Sequence, residues 1–241
     1  MNAITITNLT KKYGGLTAVD NLNLTIEKGE LFALLGVNGA GKTTTLKMLS
    51  CLIRPTGGDA VLLGESILKN PNAVKQKINV SPQETAIAPN LTVFENLALI
   101  AGIYGQNAAA SRKSAHEMSS RFGLDDVLEK KTKVLSGGMQ RRLSIAMALI
   151  TNPQILFLDE PTLGLDVLAR RELWAAIRQM KTKVTIILTT HYLEEVEALS
   201  DRIGVMTKGR LAVVGTVAEL LLQTGTANLE DAFVSLSGGV P

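Results

Sequence analysis

Cysteine is nearly missing from this 241-residue chain: Cys51 is the single one. No internal disulfide can form, so the fold has to hold by packing, as suits a reducing compartment. Cys51 itself reads as a small buried hydrophobe. Long apolar runs are missing too. Those present, such as Leu31–Leu35 and Ile155–Leu158, fall far short of the roughly 20 residues a membrane-spanning helix needs. The chain is therefore not expected to cross a bilayer, and any transmembrane part belongs to another polypeptide. The start, MNAITITNLTKKYGG, lacks a basic stretch followed by an apolar one, so no signal peptide is expected. Net charge is only +3, and no block of like charge reaches five residues. No nucleic-acid partner is expected from such a surface, although it would suit a position near anionic lipid. Internal repeats and low-complexity tracts are also lacking.

What remains is globular: 46% apolar and 20% charged residues, ample for one large α/β domain with a buried core. Ile4 and Ile6, then Leu22, Leu24 and Ile26, recur at period two, which predicts half-buried strands. Gly14-Gly15 and Lys28-Gly29 mark the turns between them. Leu31–Leu35 is apolar throughout, as a central strand covered on both faces would be. A glycine-rich loop follows, then a helix over Lys42–Leu52. Further strands are expected at about Ala60–Leu63 and ending near Val80. From about residue 84 to 150 the pattern turns helical, which predicts a helical insertion in the core of a single domain spanning 1–241. Ile155–Leu158, Val184–Leu188 and Ile203–Met206 return as buried strands between helices, so the sheet should be mostly parallel. Lys208-Gly209 reads as a hairpin into Leu211–Val214, and Thr216–Glu219 as a capping box opening the last helix.

Three strings carry chemistry. The first is Gly36-Val37-Asn38-Gly39-Ala40-Gly41-Lys42-Thr43, a complete G-x-x-x-x-G-K-T loop, with Thr44 next. Its glycines let the backbone curl so that successive N–H groups point at phosphate oxygens, and the helix that follows turns its positive end to the same anion. Lys42 is placed to reach the β- and γ-phosphates, and Thr43 to ligate Mg²⁺. The second is Ile155-Leu156-Phe157-Leu158-Asp159-Glu160: a buried strand with two carboxylates at its carboxyl end, where ligands bind in open α/β sheets. Asp159 suits Mg²⁺, and Glu160 suits orientation and deprotonation of an attacking water. The third, Leu135-Ser136-Gly137-Gly138-Met139-Gln140-Arg141-Arg142, is a helix start. Ser136 can cap it, Gly137 and Gly138 bare their N–H groups, and the dipole favours an anion. Leu143, Ala146, Met147 and Ile150 give the helix one apolar side.

The third string resembles the signature sequence of the ATP-binding-cassette superfamily, and the resemblance runs along nearly the whole chain. It implies a P-loop α/β core with an N-terminal antiparallel β subdomain and a helical subdomain. It also implies an ATPase that uses ATP and Mg²⁺. Tyr13 then stacks on adenine. Gln83, in Ser81-Pro82-Gln83-Glu84, senses Mg²⁺ and water and links to the helical part. Asp166, in Leu163-Gly164-Leu165-Asp166, lies at a dimer seam, and His191 contacts the γ-phosphate. Two subunits, copies or relatives, pair head to tail, each lending its signature to the other's ATP. Their partner is an integral membrane permease subunit, which places the chain in the cytoplasm, peripheral on the inner face of the membrane. Met139 stands where many members have Gln, Leu163 where Ser is common, and Val167 where Pro is common. With Leu229–Phe233, these details look most like subunits of exporters of drugs, lipids or surface polymers. His116 has no matching role and is expected as a solvated helix residue.

Other readings stay open on the sequence. A soluble cassette ATPase of the cluster-assembly kind has the same motifs. A cassette that only binds nucleotide has no use for Glu160 and His191. A P-loop kinase or GTPase has no use for Leu135–Gly138. Cargo, and whether the working pair is two copies or two relatives, are not written in these residues.

Overall fold

The computed structural model describes residues 1–238. Its first strands are antiparallel. β1 (Asn2–Tyr13) and β2 (Leu16–Glu27) form a hairpin across Gly14-Gly15, with Ile4 opposite Ile26, Ile6 opposite Leu24 and Leu9 opposite Leu22. All six are buried: alternate side chains of a strand leave by the same face, and a register shift between Ile6 and Leu9, at Asn8 with φ +50°, returns Leu9 to it. β3 (Leu31–Leu35) departs to the middle of a second sheet. Helix α1 (Lys42–Leu49) follows, and then β4 (Gly57–Leu62) returns to pair with β1. The two-residue β5 (Glu65–Ser66) completes a four-stranded sheet in the order β2-β1-β4-β5.

A short helix, α2 (Pro71–Lys75), leads into β6 (Ile78–Ser81). The regular elements that follow are helices: α3 (Val93–Ile103), α4 (Ala108–Arg121) and α5 (Gly137–Leu149). Each begins on a capping side chain, Thr92, Asn107 and Ser136 in turn, which satisfies N–H groups that the helix cannot bond itself. The chain then alternates β7 (Ile155–Asp159), α6 (Val167–Arg178), β8 (Thr185–Thr190), α7 (Leu193–Leu199) and β9 (Arg202–Thr207). A hairpin at Lys208-Gly209 reverses it into β10 (Arg210–Gly215), and α8 (Val217–Thr224) and α9 (Leu229–Leu236) end it. The second sheet runs β10-β9-β3-β8-β7-β6, parallel except for β10. The fold is therefore α/β with an antiparallel sheet beside a mostly parallel one.

The parallel sheet feeds two cores, one from each face. Phe32, Leu34, Ile155, Phe157 and Ile187 pack with α1 and the antiparallel sheet. Leu31, Ala33, Leu35, Leu156, Leu158 and Ile186 pack with α3, α5 and α6. Consecutive residues of one strand thus lie in different cores, which is why β3 and β7 need unbroken apolar runs. Burying each such Leu or Phe contributes about 1.5–3 kcal/mol.

Boundaries differ from the sequence reading in a few places. Helix α1 stops at Leu49 rather than Leu52, because the chain turns left-handed at Cys51, whose φ is +57°. Cys51 is half-buried rather than buried. The strand expected at Ala60 begins at Gly57, and that expected at Val184–Leu188 runs Thr185–Thr190, delivering His191 directly at its carboxyl end. The capping box at Thr216 and Glu219 is present. His116 is exposed on α4, with its ring against Phe94 at 5.5 Å between centroids.

Candidate functional site

The loop after β3 is held by close approaches that exclude side chains. A Cβ on Gly36 would lie 2.4 Å from the Met206 carbonyl oxygen. Gly41 has φ +105°, and its Cβ would meet the Ala18 oxygen at 2.5 Å. Only glycine fits there. The loop is thereby pressed between β2 and β9, and it lines an open cleft of about 740 Å³, within the usual range for small-molecule sites. Asn38, Gly39, Ala40, Gly41, Lys42, Thr43 and Thr44 all line it; Gly36 does not, and its carbonyl accepts from Lys42. Tyr13 stands at the rim, 48% exposed, with the Lys11 ammonium 5.0 Å from its ring centre.

Lys42 is buried at the start of α1. Its Nζ donates to the carbonyls of Gly36 (2.7 Å) and Val37 (3.3 Å) and pairs with Glu160 Oε1 at 3.2 Å. The other oxygen of Glu160 lies 2.8 Å from His191 Nδ1. One carboxylate therefore bridges the loop lysine and the histidine at the end of β8. Glu160 has φ +47°, unusual for a residue with a side chain, a strain of about 1–3 kcal/mol that surrounding structure has to sustain. Its N–H donates to the Thr189 carbonyl and to Thr189 Oγ1, both at 3.1 Å.

Asp159 Oδ1 accepts from Thr43 Oγ1 at 3.0 Å and from Thr189 Oγ1 at 2.6 Å. A hydroxyl and a carboxylate beside a phosphate-binding loop are hard oxygen donors, the set that suits Mg²⁺, which takes one or two protein ligands and fills its shell with water and substrate phosphates. Thr43 and Asp159 thus fit the ion. Gln83 lines the same cleft from the segment after β6.

The signature residues lie elsewhere. Ser136, Gly137, Gly138 and Asp166 do not line the cleft. Ser136 accepts from the Met139 N–H at 3.3 Å and caps α5; Asp166 accepts from the Ala169 N–H at 2.9 Å and caps α6. The two glycines differ in what they serve. A Cβ on Gly137 would meet nothing within 4 Å, whereas one on Gly138 would lie 2.8 Å from Ala169 Cβ. Gly138 is required by the packing of α5 on α6, and Gly137 opens to solvent.

Three residues without a role in the sequence reading prove structural to the site. Thr189 ties Asp159 and Glu160 to β8. Arg141, in the second turn of α5, is 4% exposed and hydrogen-bonds around the carboxylate turn. Glu195 on α7 is fully buried against the Trp174 indole, whose Nε1 donates to it at 3.3 Å. Burial pushes its carboxyl up, opposed by the neighbouring Thr190 and Thr162 hydroxyls and the indole. Arg141 stands inside a recognisable motif. Nothing local in sequence distinguishes Thr189 or Glu195 from other residues of an apolar strand or a charged helix.

A parallel sheet, a glycine-rich loop opening a helix and paired carboxylates on the adjacent strand define a P-loop nucleoside triphosphatase, and the capped Ser-Gly-Gly helix start narrows the class. The chain belongs to the ABC transporter family, whose model matches residues 19–163. It is an ATP-binding, ATP-hydrolysing transporter subunit that uses Mg²⁺. It is 41% identical over 225 residues, 93% of this chain and 68% of the relative, to the daunorubicin/doxorubicin resistance ATP-binding protein DrrA of Streptomyces peucetius. It is 40% identical over 219 residues, 90% of this chain and 70% of the relative, to the linearmycin resistance ATP-binding protein LnrL of Bacillus subtilis. Against the probable multidrug ABC transporter ATP-binding protein YbhF of Escherichia coli it is 40% identical, spanning 95% of this chain but 40% of that one. Among solved structures, an ATP-binding subunit of an ABC transporter superposes with TM-score 0.86 at 29% identity, covering 97% of this chain and 99% of the other. An ATP-binding cassette in a dimeric post-hydrolysis state with ADP and Pi superposes with TM-score 0.79 at 28% identity, covering 88% and 98%. No helix among the described residues is long and apolar enough to cross a membrane.

Proposed function

We propose that this subunit powers export of drug-like or lipid-like molecules by clamping ATP between itself and a second copy, or a related ATP-binding subunit. The motion would be passed to a separate membrane-spanning permease. The observation that carries the reading is that two surfaces suited to anions lie apart on one chain. The cleft of Lys42 and Glu160 is one, and the capped start of α5 at Ser136 and Gly137 is the other, outside that cleft. A head-to-tail pair brings the Ser136 surface of each chain over the cleft of the other, with Asp166 at the seam. Names of relatives that confer resistance to daunorubicin, doxorubicin and linearmycin support the direction of transport.

In the proposed reaction Lys42 leaves the Gly36 and Val37 carbonyls and Glu160 to meet the β- and γ-phosphates. Glu160, relieved of that partner, accepts a proton from water. The water oxygen bonds to the γ-phosphorus as its bond to the bridging oxygen breaks, giving ADP and phosphate. His191 keeps Glu160 aimed through its 2.8 Å contact and faces the γ-phosphate with its other ring edge. Tyr13 stacks on adenine. Thr43 and Asp159, with Gln83 alongside, would hold Mg²⁺, which would supply charge neutralisation at the phosphates. Catalysis is mainly positioning and charge compensation.

Residues 84–150 are proposed to move as a helical subdomain inserted in a single cassette domain. Between it and the α/β core lie two shallow pockets that share Asn79, Val80 and Tyr104, one reaching Leu52 and the other Ile100 and Met147, which together would form a groove. This groove would seat a cytoplasmic segment of the permease, holding the subunit on the inner face of the membrane. The test is ATP turnover of the purified chain beside Glu160→Gln, with ATP-dependent dimerisation followed by light scattering, alone and with the permease in vesicles. Turnover in the parent, with a variant slowed about 10²–10⁴-fold and held as an ATP-bound dimer, supports the clamp. Near-parental turnover in the variant, or absence of any ATP-dependent pairing in vesicles, overturns it.

A further inference from the structure

The Arg141 guanidinium makes four hydrogen bonds, all to main-chain carbonyls. Nε donates to Pro161 (2.8 Å), Nη2 to Asp159 (2.7 Å), and Nη1 to Gln83 (3.2 Å) and Pro82. Asp159 and Pro161 are the two sequence neighbours of Glu160. One rigid plane therefore pins the peptide carbonyls on either side of the residue whose φ is +47°. The same plane grips the backbone of the Gln83 segment, and its stem belongs to the helix that Ser136 caps. Nearby, Ser144 of α5 and Ser81 of β6 lie 3.0 Å apart through their hydroxyls, a second tie between the same helix and the same segment. Burial lowers the guanidinium to about 10, against the opposing pull of Asp159, Glu195 and Glu160, so it stays charged at neutral pH. A buried cation held solely by carbonyl dipoles is an expensive way to join loops, and only a planar fork can reach four acceptors in these directions.

We infer that Arg141 is the positioning residue that holds Glu160 in its working backbone conformation and makes that conformation depend on where the signature helix and the Gln83 segment sit. It rests on the reading that Glu160 takes the water proton. Arg141 itself touches neither nucleotide nor water. A displacement of α5 or of the 82–83 backbone shifts the carbonyls that bracket Glu160, and with them the direction of its carboxylate. Pairing at Ser136 and movement at Gln83 are thereby both read at one peptide turn before hydrolysis proceeds.

The experiment compares the parent chain, Glu160→Gln, Arg141→Lys, Arg141→Gln and the two double variants, with melting temperature, ATP-analogue affinity and turnover measured for each. Arg141→Lys keeps the charge and stem but loses the fork. Expected is a fall in kcat on the order of 10–100-fold with KM and analogue affinity within about threefold, the signature of a contribution made only in the transition state. In the Glu160→Gln background the same substitutions should cost no further turnover, because Arg141 acts through Glu160. Effects that multiply in the double variants, a lysine variant within threefold of parental kcat, or a loss that tracks ATP affinity would each overturn the inference. Should both variants melt below assay temperature, amide hydrogen exchange of the parent with and without a non-hydrolysable ATP analogue decides. Protection that changes together at 83–84 and 160–162 supports the coupling, and independent change overturns it. Failure of the underlying reading looks different: there, Glu160→Gln itself turns over ATP at the parental rate.

Discussion

Thr189→Val removes one oxygen from the middle of the site and leaves the shape of the side chain unchanged. Thr189 is fully buried on β8. Its hydroxyl donates to Asp159 Oδ1 at 2.6 Å and accepts from the Glu160 N–H at 3.1 Å. Neither partner becomes an orphan in the variant, since Asp159 Oδ1 keeps Thr43 Oγ1 and the Glu160 N–H keeps the Thr189 carbonyl. The loss is therefore one hydrogen bond to a charged acceptor and one branch of the N–H bond that Glu160 shares between two acceptors, dominated by the first at about 1.5–3 kcal/mol, without a desolvation penalty on top. For a domain of this size a kcal/mol is worth about 2–4 °C, so the melting temperature should fall by roughly 3–12 °C. Asp159 also loses the contact that orients it opposite Thr43, so half-saturation by Mg²⁺ in an ATPase titration should rise by about 3–30-fold. Thr189→Ser restores the hydroxyl and should recover most of both effects. A valine variant with parental melting and parental Mg²⁺ dependence would refute the reasoning, as would a serine variant as impaired as the valine one.

Gly41→Ala places a Cβ 2.5 Å from the Ala18 oxygen at φ +105°; the loop has to open, and nucleotide binding measured by fluorescence titration should weaken by at least about tenfold, with lowered melting. The two signature glycines should separate by assay. Gly137→Ala has open space and should melt within about 1 °C of the parent, within the usual spread for surface changes, yet lose ATP-dependent pairing. Gly138→Ala collides with Ala169 and should itself be destabilised, by roughly 1–3 kcal/mol in a urea titration. Glu195 gives a pH dependence. Its folded carboxyl is held above its ordinary value, chiefly by burial, so the unfolded chain releases that proton first. Stability is full below the unfolded value of about 4.3 and declines as pH rises from there through the raised folded value. Glu195→Gln should flatten that decline in urea midpoints above about pH 4; a variant with the parental slope counts against it.

Much of this molecule was legible locally. A strand that alternates, such as Ile4 and Ile6, declares which face is buried, because its side-chain period is two. A run such as Leu31–Leu35 declares burial on both faces. The loop from Gly36 to Thr43 is readable because phosphate binding needs contiguous amides, and contiguous amides need a fixed order of glycines along the chain. The pair Asp159-Glu160 follows for the same reason: the residue at the end of a buried strand and its neighbour are set by chain order. Ser136 as a cap and Thr216 with Glu219 as a capping box are legible too, since their partners lie three residues away.

What escaped is what depends on partners far apart in sequence. Cys51 reads as the continuation of a helix until the left-handed turn ends α1 at Leu49. Gly138 looks like its neighbour Gly137 until α6 is packed across it. Thr189 and Arg141 reach the carboxylate turn over separations of 18–30 residues, and Arg141 reaches Gln83 over 58, so no local window along the chain contains both ends of those bonds. The sequence by itself determined the alternation of strands and helices, the phosphate loop and the order of the carboxylates, because local backbone geometry and hydrophobic period specify them. Tertiary structure alone decided that one arginine bonds the carbonyls of Asp159 and Pro161, that Lys42 and His191 share the two oxygens of Glu160, and that Ser136 lies outside the cleft, because those relations exist only once β3, β7 and β8 lie side by side and α5 packs against them.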